Sequence, residues 1–91
     1  MDWKSIVKLV ESLVPLLGPK FAAEFAKFKS HVLDILKKAL EKPLTERIVA
    51  GWVLSELIFT IYKLAEGKSM KPSLKTKVKG AISDILNIPK W

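Results

Sequence analysis

Cysteine is absent from the 91-residue sequence, which excludes a disulfide framework, a thiolate nucleophile and a Cys-ligated zinc site. Histidine occurs once, at His31, and carboxylates alone are poor zinc ligands, so we predict no structural metal site. The four glycines are isolated from one another and form no glycine-rich phosphate-binding loop. We therefore predict that the protein is not an enzyme and uses no cofactor.

Arginine also occurs only once, at Arg47, and every other cationic residue is lysine. Because arginine is the preferred side chain for bidentate reading of bases, its scarcity argues against sequence-specific DNA recognition. The formal net charge is nevertheless +7 and the sequence pI is about 9.8. Such a charge favours a polyanionic partner: an anionic lipid membrane, nucleic acid bound without sequence specificity, or an acidic protein surface.

A basic segment followed by an apolar run, the mark of a signal peptide, is missing from the start of the sequence. Asp2 and amphipathic spacing stand there instead. We therefore expect no export by the usual secretory route.

Proline and glycine divide the sequence into four segments, and apolar residues recur at helical spacing in each of them. The apolar fraction of 49% and the charged fraction of 27% are typical of a globular chain. We predict an all-α protein, a compact four-helix bundle in a single domain. The predicted helices lie near residues 2–17, 19–42, 45–66 and 73–88.

Two predictions concern the first two helices. Pro15 removes a hydrogen bond near the end of the first helix, so its last turn is expected to kink or fray. Phe21, Phe25 and Phe28 lie on a heptad seam of the second helix. We expect this seam to face the other helices of the same chain, and a seam between two copies is the alternative.

The third segment is apolar nearly all round, apart from a thin stripe formed by Glu56, Thr60 and Lys63. Such a helix is either a buried core helix or a membrane-embedded one. We favour a core helix, with Trp52 in the core and Gly67 as the left-handed C-cap. Mean hydropathy is +0.22, so in a domain this small some apolar surface is left for a partner, a second copy or a membrane.

Residues 68–91, which contain the fourth helix with Ser73 as its expected N-cap, hold six lysines and one acidic residue and so carry most of the excess positive charge. Lysines near a helix start oppose the helix dipole, so local stability does not account for them. We predict that they bind a polyanion, and a solubilising surface is the alternative. The candidate residues are Lys68, Lys71, Lys75, Lys77, Lys79 and Lys90.

The two tryptophans near the chain ends, Trp3 and Trp91, are candidate interfacial anchors, because an indole ring combines an apolar body with a polar N–H. Trp3 also fits the apolar stripe of the first helix. His31 lies three residues before Asp34, a spacing that suits a base and its orienting carboxylate. We interpret His31 as a solvated surface residue.

Three parts of the sequence resemble leaderless bacteriocins of the aureocin and lacticin type. They are Met1-Asp2-Trp3-Lys4 with the following Ile6, Val7, Leu9 and Val10; Lys29-Ser30-His31-Val32-Leu33-Asp34-Ile35-Leu36; and the basic, tryptophan-containing C-terminal region. The resemblance implies a saposin-like helical bundle, made without a leader, that permeabilises anionic membranes. This chain is longer than such peptides and richer in acidic residues.

We therefore expect a membrane-active, bacteriocin-like helical protein, secreted without a signal peptide. One alternative is a self-assembling structural subunit of a capsid, filament or nucleoid, which coats nucleic acid without sequence specificity. A third hypothesis is a phage-type inhibitor or adaptor that docks on an acidic protein. For both alternatives we expect a cytoplasmic or virion location.

Overall fold

The computed structural model describes residues 2–91 and contains four α-helices and no strand within that range. Met1, which begins one of the segments that carry the family resemblance, lies outside the described residues. The predicted all-α, compact four-helix bundle is confirmed. The helices are α1 (Trp3–Leu17), α2 (Pro19–Ala39), α3 (Leu44–Glu66) and α4 (Pro72–Leu86).

Helix α1 begins at an aspartate cap, where Asp2 Oδ1 accepts a hydrogen bond from the Ser5 backbone N–H at 2.8 Å. The helix continues past Pro15 to Leu17, so its last turn does not fray, which was one of the two effects expected of Pro15. Pro15 leaves the carbonyl of Glu11 without its helical donor, but the residues on both sides of Pro15 keep helical geometry. Gly18, at φ 94°, then turns the chain directly into α2.

Two predicted helix ends are wrong by a few residues. Helix α2 ends at Ala39 rather than near residue 42, because Pro43 disfavours helical geometry at the residue before it. Helix α4 ends at Leu86 rather than near residue 88, because Asn87 adopts the left-handed conformation at φ 53°.

The predicted caps of α3 and α4 have different outcomes. Gly67 is the left-handed C-cap of α3, at φ 73°, as predicted. Ser73 is not the N-cap of α4, because Lys71 occupies the cap position and Pro72 opens the helix. Proline suits the first helical position, where its fixed φ is helical and its missing N–H is not needed.

Successive helices pack antiparallel, as contacts between their side chains demonstrate. Lys29 of α2 pairs with Glu11 of α1 at 2.9 Å. The rings of Phe21 and Tyr62 join the start of α2 to the end of α3, with centroids 6.4 Å apart. Helix α4 packs against both α3 and α1, which leaves α1 and α3 diagonally opposite.

The core contains the apolar side chains that all four helices turn inward. The phenylalanine seam of α2 faces its own chain, as predicted: Phe21 and Phe25 are buried with ring centroids 5.3 Å apart, and Phe28 is half-buried. Helix α3 contributes Leu54, Ile58 and Ile61 to the core, but another of its faces is exposed. The favoured core helix therefore contributes to the core along one side only, and its exposed apolar side was not expected.

The antiparallel arrangement gives the bundle two chemically different ends. Trp3 at the start of α1 and Trp91 in the tail after α4 lie at one end, here called the tryptophan end. The loop 67–71 between α3 and α4 lies at the opposite end, here called the lysine end because Lys68 and Lys71 are in that loop.

Candidate functional site

The structure gathers only part of the predicted polyanion-binding set. Lys71, Lys75 and Lys79 follow one another at intervals of four residues, so they line one side of α4 and form what we call the lysine stripe. Lys68 lies at the same end of the bundle, in the loop before α4. Lys77 projects from another side of α4 and is exposed.

Lys90 lies at the tryptophan end, beyond the C-terminus of α4. Helix α4 has 15 residues, so at about 1.5 Å per residue its two ends are separated by roughly 20 Å. Lys90 therefore belongs to a different part of the surface from the lysine stripe.

No carboxylate of the described chain lies within 4.0 Å of a lysine of the stripe. Four other lysines lie within 4.0 Å of a carboxylate, whereas the lysines from residue 63 to residue 79 do not. The paired lysines are Lys27, Lys29, Lys38 and Lys90. The ammonium groups of the stripe therefore form no ion pair within the described chain, and they remain available to an external anion.

Lys75 is held in place by an aromatic ring. Its Nζ lies 5.2 Å from the centroid of Phe59 on α3, within the range of a cation–π contact. An open cleft lies beside this contact, between the second half of α3 and the start of α4. Its lining consists of Glu56, Phe59, Thr60, Lys63, Ser69, Met70 and Lys75.

A second candidate surface is the solvent-facing side of α3, which we call the outer face of α3. Its first half exposes Val49, Trp52 and Val53, at 48%, 50% and 53% of their full areas. Its second half contains Leu64, at 67% exposure, together with the polar stripe noted in the sequence. The prediction that Trp52 is a core residue is wrong, because the core positions of this helix are taken by residues such as Leu54 and Ile58 on the opposite side.

The tail after α4 packs onto α3 at a glycine. A Cβ placed on Gly51 would lie 2.7 Å from Ile88 Cδ1 and 3.5 Å from the ring of Trp91. Glycine therefore allows the tail to approach α3 closely, and Ile88 is buried there. Trp91 keeps 41% of its area exposed, next along the surface to the outer face of α3.

Trp3 lies elsewhere at the tryptophan end. It is 37% exposed, and the Nζ of Lys37 on α2 lies 5.9 Å from its ring centroid. Because α1 is diagonally opposite α3, the two predicted anchors Trp3 and Trp91 are on different sides of the bundle. Trp52, the most exposed of the three tryptophans, was not predicted as a surface residue. Helix α3 is apolar around most of its circumference, so its sequence does not reveal which side the other helices cover.

The residues considered for catalysis do not form a site. Asp34 pairs with Lys38 at 3.1 Å rather than with His31, and His31 is exposed. Within residues 2–91, no group of three or more potential metal ligands comes together. The pKa of the Asp2 carboxyl is lowered by the hydrogen bond from the Ser5 backbone N–H and, to a smaller degree, by the Ser5 side chain. The helix cap therefore explains this shift, and the shift does not indicate a catalytic role.

By length and composition alone, α3 qualifies as one helix that can cross a membrane, although a third of its most apolar window is buried in the bundle. A core helix of a water-soluble bundle meets the same test. In comparisons with known proteins, no family model, curated sequence or solved structure matched the chain. The chain's own residues and their geometry are therefore what indicates its function.

Proposed function

We propose that this protein binds anionic lipid membranes and permeabilises them. The observation that carries the proposal is the position of the lysine stripe beside the outer face of α3. Lys75 of α4 lines a cleft together with Thr60 and Lys63, which belong to the second half of the outer face of α3. The exposed apolar side chains of Val49, Trp52 and Val53 lie on the first half of the same face, so unpaired positive charge and apolar area follow one another along α3. A surface that combines both properties is typical of proteins that lie at the membrane–water interface.

Each part of this surface contributes a separate term to membrane binding. A lysine near an anionic bilayer contributes about 1 kcal/mol, and this term weakens as salt screens the charges. Trp52, Val49 and Val53 add the burial of apolar area, at about 25 cal/mol per Å² removed from water. Trp52 also suits the interface, because its N–H can remain hydrated while its ring enters the lipid.

Permeabilisation requires α3 to leave the bundle in part. With 23 residues, α3 is about 34 Å long, against about 30 Å for the hydrocarbon layer. Glu56 lies in its middle, and a carboxylate at the bilayer centre costs about 2–3 kcal/mol. We therefore propose an interfacial docked state first, with the bundle closed, followed by opening and insertion of α3.

Dye release from vesicles tests the proposal. We expect release from phosphatidylglycerol-containing vesicles and little from pure phosphatidylcholine vesicles. Replacing Lys71, Lys75 and Lys79 together with glutamine is expected to weaken binding and release by tenfold or more, since about 3 kcal/mol is removed.

The matched control removes the same charge from α1 and α2, outside the lysine stripe. Lys4 and Lys8 on α1 and Lys20 at the start of α2 are exposed and have no carboxylate within 4.0 Å in the described chain. Their replacement with glutamine is expected to have a clearly smaller effect. Equal losses in the two triple variants would show that net charge alone drives binding, and absence of binding to either vesicle would refute the proposal.

A second candidate is a self-assembling structural subunit. The same exposed residues Val49, Trp52 and Val53 favour it, because a second copy of the chain would also cover them. Sedimentation equilibrium without lipid distinguishes the two candidates. Large assemblies that dissociate in a Val53→Lys variant would favour self-assembly, and a salt-sensitive gel shift on random duplex DNA would add nucleic-acid coating.

A further inference from the structure

The cleft between α3 and α4 is lined by charged side chains of both signs that form no ion pair with one another. Lys63 and Lys75 bring ammonium groups, and Glu56 brings a carboxylate. No pair among them comes within the 4.0 Å of an ion pair. An acid among the lining residues of a basic cleft favours a ligand that brings hydrogen-bond donors as well as a negative charge.

The cleft separates hydrogen-bond donors from acceptors. The Thr60 hydroxyl donates its proton to the carbonyl oxygen of Glu56 at 2.8 Å, so its oxygen is left to act as an acceptor. The Glu56 carboxylate accepts only. The ammonium groups of Lys63 and Lys75 act only as hydrogen-bond donors. The Lys75 ammonium group lies over the Phe59 ring, and this contact limits its motion.

We propose that this cleft binds the headgroup of a hydroxyl-bearing phosphodiester lipid, of which phosphoglycerol is the simplest kind. Its phosphate lies against Lys63 and Lys75, and its hydroxyl groups donate to Glu56 and Thr60. The buried side chain of Met70 and the ring of Phe59 form an apolar floor beneath the headgroup. This proposal rests on the proposed membrane function, and it adds headgroup selectivity to a binding step that would otherwise depend on charge alone.

The position of the cleft suits a lipid headgroup. The second half of the outer face of α3 forms one wall of the cleft, and Leu64 lies next to Thr60 and Lys63, so a lipid held there has Leu64 as the nearest exposed apolar contact for its acyl chains. Lys68 and Lys71 at the rim add positive charge without a carboxylate partner in the described chain. The lysine donors therefore match the phosphate of such a lipid, the oxygen acceptors match its hydroxyl groups, and Leu64 offers apolar contact to its acyl chains.

The test compares vesicles of equal charge that differ only in headgroup hydroxyls: phosphatidylglycerol and phosphatidylmethanol, each mixed with phosphatidylcholine. We expect the protein to partition about three- to tenfold more strongly onto phosphatidylglycerol, the effect of one or two net hydrogen bonds. The Glu56→Ala variant is expected to lose this preference. The matched control, Glu46→Ala, changes the same charge on the same helix at an exposed site outside the cleft and is expected to keep it.

The outcomes separate the two proposals. Equal partitioning of the unaltered protein onto both lipids would overturn the headgroup site and leave membrane binding intact. Partitioning onto neither would overturn both. If the Glu56 and Glu46 variants lost the preference for phosphatidylglycerol equally, the headgroup site would also be overturned. The loss would then result from the change in net charge and not from the position of Glu56 in the cleft.

A soluble probe distinguishes a headgroup from free phosphate. Glycerophosphoglycerol is expected to shift the amide NMR signals of Ser69, Met70 and Lys75, and inorganic phosphate is expected to bind there several-fold more weakly. Equal affinity for the two probes, or shifts spread evenly over lysines outside the cleft, would overturn the proposal.

Discussion

The Nη1 of Arg47 on α3 lies 2.6 Å from the carbonyl oxygen of Leu86, the last residue of α4. The same nitrogen donates to the carbonyl of Asn87 at 3.0 Å, and Nε donates to the carbonyl of Lys42 at 3.1 Å. One guanidinium therefore satisfies backbone carbonyls of the α2–α3 turn and of the α4 C-terminus, where a positive charge is also favoured by the helix dipole. The only arginine of the sequence thus ties together the tryptophan end of the bundle.

Replacing Arg47 with methionine is expected to destabilise the fold by about 2 kcal/mol, because hydrogen bonds from a charged donor are lost and the carbonyls are left unpaired. For a domain of this size the melting temperature should fall by about 8–16 °C. Thermal unfolding followed by circular dichroism measures this change in melting temperature. The control is Lys42→Met, an exposed cation in the neighbouring turn; comparable losses in both variants would contradict the role given to Arg47.

Phe21 is 1% exposed and packs against Phe25 and Tyr62. Phe21→Ala should therefore cost about 3–5 kcal/mol in denaturant unfolding, through lost burial and the cavity left behind. The half-buried Phe28 on the same seam provides the comparison. Phe28→Ala is expected to cost less, and the reverse order would mean that the seam faces another copy rather than the core.

The close approach of Gly51 to Ile88 predicts an energetic coupling. Gly51→Ala gains helix propensity of about 1 kcal/mol but drives its new methyl group towards Ile88 Cδ1. Ile88→Val removes that carbon, so the double variant should be more stable than the sum of the single changes by about 0.5–1 kcal/mol. Additivity in the double-mutant cycle would indicate that the tail moves aside freely.

The three tryptophans serve as probes of the docked orientation. In variants that keep only one tryptophan, Trp52 should show the largest blue shift and the strongest quenching by brominated lipids, because it projects from the outer face of α3. Trp3, under Lys37 on the far side, should change least. Strong quenching of Trp3 would contradict docking through α3 with the bundle closed.

The Asp2 cap predicts a pH dependence at the start of α1. The Ser5 backbone N–H, with a smaller effect of its side chain, lowers the pKa of the Asp2 carboxyl below its ordinary value of 3.8. Because the pKa is lower in the folded state, the cap stabilises the fold above about pH 4, and the stabilisation is lost as the pH falls through the folded value. Amide exchange of the first turn of α1 should therefore accelerate in acid. An Asp2→Asn variant should lack that step, and an unchanged step in it would assign the acid effect to other carboxylates.

The helices themselves were predictable from local chemistry. Proline and glycine at residues 15–19, 43, 67–72 and 89 separated four amphipathic segments, and Gly67 stands at the cap where it was expected. The errors lie at the ends. Pro72 rather than Ser73 opens α4, and Asn87 stops it, because several residues near each end can serve as caps and only the tertiary contacts select one.

The site was less predictable than the helices. The lysines of α4 were identified, but their division into the lysine stripe, Lys77 and Lys90 depends on how α4 is rotated and where its tail goes. Helix α3 has apolar residues around most of its circumference, so the spacing of apolar residues does not predict whether Trp52 faces the core or the solvent. A helix with one apolar stripe, such as α1, reveals its buried side in the sequence; one with several does not.

The sequence by itself determined the class of the fold, the number of helices and the positive charge, because these follow from composition, local propensity and the spacing of apolar residues. The tertiary structure decided which apolar face of α3 stays uncovered, which lysines share a surface, and that Arg47 and Gly51 hold the tail onto α3. Those outcomes depend on which helices are neighbours and how each is rotated. Contacts between residues far apart in the chain set both.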